Sequence, residues 1–380
     1  MSNHSKLTII QVLPALNSGG VERGTVEFAR EIANLGHRSI VISNGGRMVK
    51  QLEDEGTEHI PMPVHRKSLS SLLQVRPMRK LLVDLKPDIV HVRSRIPAWI
   101  VWLAWRKMPL KARPGFVSTF HGMYSVTPYS AIMARGERLI AISDCVHEYI
   151  LQNYRVDPAK ITRIYRGLDP SAFNLKSCTE EWKADLYQDY PHLREKRIIL
   201  MPGRLSRWKG QEAFLDMMAQ LVKREPTVHG LVIGAAESNK EHYLDELRQK
   251  RNELGLEEHV TFTGHRSDIQ AFYGLAAVTC HMSNKAEPFG RTVPEALACG
   301  CAVVAYDRGG ASESLTAGFP QGLVAADDIA AFADRVVQLL HEQHNISLPR
   351  NFYLDTQVQD TLVVYCNLLR EKERYPQAIP

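Results

Sequence analysis

Glu287 and Glu295 stand eight residues apart in Glu287-Pro288-Phe289-Gly290-Arg291-Thr292-Val293-Pro294-Glu295, with a Phe-Gly turn between them. Carboxylates accept well from hydroxyl groups, and free backbone N–H groups at a helix start hold anions. Glu295 falls about one turn into the helix-like run Arg291 to Cys299. Glu287 falls in the loop that follows the strand-like run Val278 to Met282. Phe289, Gly290, Arg291 and Thr292 would supply N–H groups at the helix start. A site offering hydroxyl acceptors and an anion cradle suits a nucleotide sugar. The plain alternative is that Glu295 complements the helix dipole and Glu287 is solvated.

Three more segments carry chemistry. Met201-Pro202-Gly203-Arg204-Leu205-Ser206-Arg207-Trp208-Lys209-Gly210 runs from a strand end to a helix start. Arg204 and Lys209 would set two cations over a diphosphate and neutralise a leaving nucleoside diphosphate without a metal. The alternative is a pair of solvated surface cations. Asn17-Ser18-Gly19-Gly20-Val21-Glu22-Arg23-Gly24 opens the first helix, where glycine lets the backbone approach a pyrophosphate. Its spacing is not Gly-x-Gly-x-x-Gly, so a dinucleotide fingerprint is unsupported, and a tight turn without ligand is the alternative. His121, in Ser118-Thr119-Phe120-His121-Gly122, ends a buried strand and can exchange a hydrogen bond or proton with a sugar hydroxyl. It can equally be a structural histidine tied to a backbone carbonyl.

These segments need strand ends to hold them. The first half alternates strand and helix: strands at Leu7 to Leu13, Ser39 to Ser43, Ile89 to Val92, Phe116 to Phe120, Leu139 to Ile142 and Ile161 to Tyr165. Helices are expected at Val21 to Leu35, near Leu69 to Leu85, from Pro97 and from Asp144. The second half repeats the pattern. Its strands are Arg197 to Met201, Gly230 to Ile233, Val260 to Thr263, Val278 to Met282 and Ala302 to Ala305. Its helices are Gln211 to Lys223, Lys240 to Leu254, Ile329 to His341 and Asp355 to Leu369. Alternation of this kind means parallel sheets covered on both faces. The expected architecture is α/β: two doubly wound, Rossmann-like domains, residues 1–175 and 176–350, facing a cleft, with 351–380 a helix crossing back to the first. The seam is expected to be polar and irregular, near Arg166 to Glu195. Ligands of open parallel sheets bind at the carboxyl ends of strands, so the four motifs are expected to face the cleft.

Bulk composition narrows the class. A chain of 380 residues exceeds one ordinary core. The longest apolar run, Ile96 to Trp105, is well short of the ~20 residues of a membrane span, and the N-terminal residues lack the pattern of a secretory signal. Six cysteines without a C-x-x-C pair fit a reducing cytosol, with Cys299 and Cys301 as packing residues. The net charge of +5 says little, but His91 to Gly115 holds six cations, no acid, and Trp99, Trp102 and Trp105. That segment suits contact with an anionic membrane face or a helix packed inside the fold. Nucleic-acid binding is not expected, because the basic segment is short and no such motif occurs.

Taken in order, Gly19-Gly20, His121, Gly203-Arg204 with Lys209-Gly210, Gly264-His265 and the Glu-x7-Glu stretch running into Glu295-Ala296-Leu297-Ala298-Cys299-Gly300 resemble the family-4 retaining glycosyltransferases of the GT-B fold, the group 1 glycosyltransferases. The resemblance covers nearly the whole chain. It implies a nucleotide-sugar donor, UDP-linked or alternatively GDP-linked, held mainly by the second domain, and a saccharide or lipid-linked acceptor held mainly by the first. It implies hexosyl or N-acetylhexosaminyl transfer with retention and no cofactor or metal. It assigns Glu295 to the ribose, Glu287 to the transferred sugar, Arg204 and Lys209 to the diphosphate, and His121 to the active site. Gly19-Gly20 become the first domain's phosphate loop, and His265 lies where members contact the base through backbone atoms. In Ile164-Tyr165-Arg166-Gly167-Leu168-Asp169 many members carry asparagine where Arg166 stands, and this cation could touch an anionic acceptor or pair with a local acid. Arg93-Ser94-Arg95-Ile96-Pro97-Ala98-Trp99 with Tyr124 resembles a subgroup of envelope-polysaccharide and lipopolysaccharide core assembly, which makes Arg93, Arg95, Tyr124 and Arg166 candidate acceptor contacts. With the cysteine usage and the basic, Trp-rich segment, the expected location is the cytoplasm, with contact at the inner face of the cell membrane as the alternative. Two other readings stay open: a nucleotide-sugar epimerase of similar architecture, and a non-catalytic sugar-nucleotide-binding protein.

Overall fold

In the computed structural model, residues 6–17, 19–236 and 242–374 are described. Ser18 of the glycine loop and Lys240, the expected start of a helix, lie outside the described residues. The chain divides into two compact units: Met1–Gly167 with Tyr353–Pro380, and Leu168–Phe352.

The first unit runs β1 (Thr8–Val12), α1 (Gly20–Asn34), β2 (Arg38–Ser43), α2 (Val49–Asp54), β3 (Glu58–Pro61), α3 (Val75–Leu85), β4 (Ile89–Val92), α4 (Arg95–Trp105), β5 (Gly115–Phe120), β6 (Arg138–Ala141), α5 (Asp144–Asn153) and β7 (Ile161–Arg163). Its seven strands form one parallel sheet in the order β3-β2-β1-β4-β5-β6-β7. The order reverses between β1 and β4, and loops after those two strands diverge there, as in other doubly wound sheets.

The second unit runs α6 (Glu180–Asp189), β8 (Arg197–Pro202), α7 (Gln211–Leu221), β9 (Val228–Ile233), α8 (His242–Glu253), β10 (Val260–Gly264), α9 (Ile269–Leu275), β11 (Val278–His281), α10 (Thr292–Ala298), β12 (Ala302–Tyr306), α11 (Gly309–Gly318), β13 (Leu323–Val324) and α12 (Ile329–His341). Its sheet is also parallel, β10-β9-β8-β11-β12-β13, with the reversal between β8 and β11.

The last helix, α13 (Leu354–Arg374), packs on the first unit. Val358, Val364, Tyr365 and Leu368 join a core with Leu7, Ile9, Phe28, Ile32, Ile89 and Val117. Tyr365 Oη lies 2.6 Å from His91 Nδ1 in the buried interior.

Three local expectations are corrected. The seam is not irregular throughout: it contains α6, capped by Thr179, whose hydroxyl accepts from Trp182 N at 3.1 Å. Trp182 anchors that helix edge-on against Phe272, 4.8 Å between ring centres, and donates to Asp268 at 2.8 Å. The helix near Leu69 to Leu85 is a 3-10 stretch, Leu69–Gln74, followed by α3. Pro77 explains the break, because its ring has no N–H and would clash with the carbonyl four residues earlier in a continuous α-helix. The helix expected from Pro97 starts at Arg95, with Pro97 still inside the first turn, where no N–H is missed. The short edge strands β3 and β13 carry too little pattern to be seen beforehand.

Candidate functional site

In the second unit the two candidate loops leave β8 and β11, the strands that flank the reversal. They are tied to each other. Asn284 N donates to Trp208 O at 2.9 Å, and Asn284 Nδ2 donates to Arg207 O at 3.0 Å. Gly210 adopts φ 87°, and a Cβ there would lie 2.0 Å from the Met282 carbonyl oxygen. Only glycine permits that approach. The contact sets Lys209 against the Glu287 loop: Lys209 Nζ donates to both Glu287 carboxylate oxygens at 2.8 Å.

Glu287 is buried, 7 % exposed. Ser283 Oγ also donates to it, and His281 Nε2 lies 3.3 Å from Oε1. Burial pushes the Glu287 carboxyl up, but His281, Lys209 and the hydrogen bonds from Lys209 and Ser283 outweigh it and hold the group below its usual range. His281 is itself lowered by burial, partly opposed by Glu287, and its Nδ1 sits 3.0 Å from Thr292 Oγ1. Lys209 is therefore the standing positive partner of Glu287. The Glu287 backbone bonds onward to α11, accepting from Gly310 N at 2.8 Å.

Glu295 is buried on α10. Tyr273 Oη donates to Oε2 at 3.0 Å, and Arg291 Nε donates to Oε1 at 2.6 Å. Arg291, expected to offer its backbone, thus also holds Glu295 through its side chain. Phe289 is buried with its ring 6.3 Å from that of Phe352. Gly290 takes φ 71°. Arg204 and His265 are exposed. His265 follows the β10 end at Gly264, φ 74°. The structure brings Lys209, Glu287 and the start of α10 together. Sequence reasoning missed His281, Ser283 and Tyr273. His281 and Ser283 lie at the end of the recognised Val278 to Met282 run, a position that could have flagged them.

In the first unit, His121 follows β5. Both its ring nitrogens are buried and meet no hydrogen-bond partner among the described residues, so the carbonyl-tied alternative does not hold. Burial, with the fields of Arg93, Arg166 and His91, keeps the imidazole well below its usual range, and hence neutral at neutral pH. A neutral imidazole offers one acceptor and one donor, the pair that a hydroxyl needs. Tyr124 Oη accepts weakly from His121 N at 3.4 Å, and burial pushes this phenol up to about 12. Arg95 stacks over Tyr124 and Tyr129 and donates to Ser130 Oγ at 3.1 Å.

Arg166 lies across the first turn of α1 and donates to the Gly20 carbonyl. A Cβ on Gly24 would stand 2.5 Å from Arg166 Nη2. Glu22 reaches back over the glycine loop, where its carboxylate would meet a Cβ on Gly19 at 2.4 Å. The tryptophans of the basic segment turn inward or bond locally. Trp105 is buried and donates to Pro114 O at 2.9 Å, and Trp99 donates to Tyr129 O at 3.0 Å. Arg106 covers Trp102. Arg106, Lys107 and Lys111 remain exposed.

Residues 184–353 match the family model described as glycosyl transferases group 1, and residues 18–172 match that of glycosyltransferase family 4. The two models follow each other along the chain and meet both sets of motifs. The chain belongs to the group 1 glycosyltransferases. It is 27% identical over 347 residues to the phosphatidyl-myo-inositol mannosyltransferase of Mycolicibacterium smegmatis, covering 85% of this chain and 82% of that one. A glycosyltransferase structure from Rickettsia africae superposes with a TM-score of 0.82 at 29% identity, over 97% of this chain and 100% of that one. The Anabaena protein HepE, solved with UDP and glucose, superposes with a TM-score of 0.80 at 22% identity, over 95% and 100%. The two doubly wound sheets of this glycosyltransferase are those of the GT-B fold. Among the described residues no helix is long and apolar enough to cross a membrane.

Proposed function

We propose that this glycosyltransferase moves a hexosyl or N-acetylhexosaminyl group from a UDP-linked donor to a saccharide or lipid-linked acceptor, with retention of configuration and without a metal. The observation that carries the reading is Lys209, held between the Arg204 loop and the Glu287 carboxylate. A cation so placed can transfer its hydrogen bonds from Glu287 to a diphosphate, which frees Glu287 for sugar hydroxyls. Arg204 adds the second charge. Glu295, oriented by Tyr273 and Arg291, takes the ribose hydroxyls. The N–H groups of Phe289 to Thr292 and the backbone at His265 complete the donor's contacts.

The proposed step is front-face substitution. The bond between the anomeric carbon and the diphosphate oxygen breaks as the acceptor oxygen bonds to the same face. The acceptor's proton passes to the departing phosphate oxygen, whose growing charge Arg204 and Lys209 stabilise. His121 orients a hydroxyl of the bound sugars. HepE's complex with UDP supports the choice of base. The stretch from Arg93 to Trp99 supports an acceptor of the cell envelope, reached at the inner membrane face through Arg106, Lys107 and Lys111.

The test incubates the protein with UDP- and GDP-sugars, in EDTA, with saccharides and with lipid-linked acceptors in anionic vesicles. Acceptor-dependent release of UDP and a product with the donor's anomeric configuration by NMR are expected. A changed sugar nucleotide without acceptor would make the protein an epimerase. Inverted product would overturn retention, and activity restored only by added metal would overturn metal independence.

A further inference from the structure

Arg93 is the first residue after β4, beside β1, where the strand order of the first sheet reverses. It is 3 % exposed. Its Nε donates to Gln11 Oε1 at 2.7 Å, and its guanidinium lies 5.2 Å over the Phe28 ring. No carboxylate pairs with it among the described residues, and its two terminal amino groups meet no hydrogen-bond partner there. A buried cation without a counter-ion is costly, and one neutral hydrogen bond and one ring face offset little of that. Burial pulls this guanidinium down to about 10, which leaves it charged at neutral pH.

The neighbouring groups have the same bias. His121, one strand further along at the end of β5, has both ring nitrogens buried and without a hydrogen-bond partner among the described residues. Arg166 reaches from beyond β7 to the start of α1, where it donates to the Gly20 carbonyl, and its charge acts on His121. Arg95, two residues beyond Arg93, binds a hydroxyl and two rings and no carboxylate among the described residues. At the start of α1 the Glu22 carboxylate already stands over Gly19, which disfavours an anion there.

Unspent N–H groups on a buried guanidinium, next to an unpartnered neutral imidazole, match a ligand that brings an anion and a hydroxyl together. From this we infer that the acceptor of the proposed transfer carries a phosphate ester, bound by the terminal amino groups of Arg93 with Arg166, beside a hydroxyl bound by His121. The planar fork of arginine suits two phosphate oxygens at once. This rests on the glycosyl-transfer reading only for the word acceptor; the anion site stands on its own geometry. The ester could be soluble, as in a sugar phosphate, or the headgroup phosphate of a lipid.

The full chain, its nucleotide site saturated with UDP, is titrated calorimetrically with inorganic phosphate, glucose 6-phosphate and glucose. Both phosphates should bind, glucose 6-phosphate the tighter, and glucose should not bind measurably. Arg93→Met should weaken glucose 6-phosphate by about 10- to 100-fold and leave UDP affinity unchanged. If Arg93→Met does not fold, Arg166→Gln, which removes a half-buried charge, carries the same expectation. Arg93-dependent binding to phosphatidylcholine vesicles containing phosphatidylglycerol would identify a lipid phosphate; binding of glucose 6-phosphate with no vesicle binding would identify a soluble ester. Absence of phosphate binding, or binding indifferent to both substitutions, overturns the inference. Phosphate binding with no affinity for any nucleoside diphosphate would instead sink the transfer reading and leave the anion site standing. Transfer to neutral acceptors only would do the reverse.

Discussion

Lys209 and Glu287 are 18 % and 8 % exposed at their side chains, so they form a mostly buried pair. Removing one partner of such a pair costs ~3–5 kcal/mol, because the other is left as an uncompensated charge. Lys209→Gln should therefore lower stability as well as turnover, and is a poor probe of the diphosphate clamp by itself. Arg204 is exposed, and Arg204→Ala should cut kcat by ~100-fold or more with the melting temperature close to wild type. The double variant Lys209→Gln with Glu287→Gln removes both charges and should recover most of the stability lost in Lys209→Gln while staying inactive. Calorimetric melting and turnover assays read both properties. Near-normal kcat in Arg204→Ala and in the double variant would refute the clamp. At this scale the sequence showed which residue types stood at strand ends, because charged residues next to all-apolar runs are conspicuous. It did not show that Lys209 and Glu287 hold each other: that contact depends on Gly210 meeting the Met282 carbonyl, 72 positions away in the chain.

The elements that position these residues follow from simple patterns. β8 and β11 are buried throughout apart from the first residue of β8, and their runs of apolar residues were legible as parallel strands. Less legible were elements made by tertiary partners: α6 takes its anchor from Trp182 on Phe272, a contact that no local pattern announces. The turn into α7 is the strictest local requirement. Gly210 is left-handed, and the Met282 carbonyl occupies the space of its Cβ. A left-handed residue other than glycine costs ~1–2 kcal/mol, and the clash with a backbone atom adds to that. Gly210→Ala should lower stability by more than ~2 kcal/mol, and the loop shift should carry Lys209 away from Glu287. Binding of nucleoside diphosphate, measured by calorimetry below the melting range, should weaken at least ~10-fold. Wild-type affinity in Gly210→Ala would show that Lys209's placement does not depend on this approach.

At the scale of the chain, the first unit is assembled from both ends of the sequence. Residues 1–167 supply its seven strands, and α13 closes one face of its core. Tyr365 and Leu368 are fully buried there, and Leu368 packs against Gly115, where a Cβ would come within 2.9 Å of its Cδ2. Without α13, Leu7, Ile9, Phe28, Ile32 and Ile89 would face water, and His91 would lose the tyrosine hydroxyl at its Nδ1. Exposing five such side chains removes ~1.5–3 kcal/mol each, in sum about as much as the whole ~5–15 kcal/mol that holds an ordinary domain. The fragment 1–167 should therefore lack cooperative unfolding and dispersed amide resonances, whereas residues 168–352, whose sheet and helices come from one continuous segment, should melt cooperatively alone. Adding the peptide 353–380 to the first fragment should restore a cooperative transition, with Leu368→Ala in the peptide weakening the rescue by ~2–5 kcal/mol. A well-folded 1–167 would mean that α13 decorates the first unit rather than completing it. During synthesis the same dependence means that the first unit, although made first, reaches its native core only after the second has been translated.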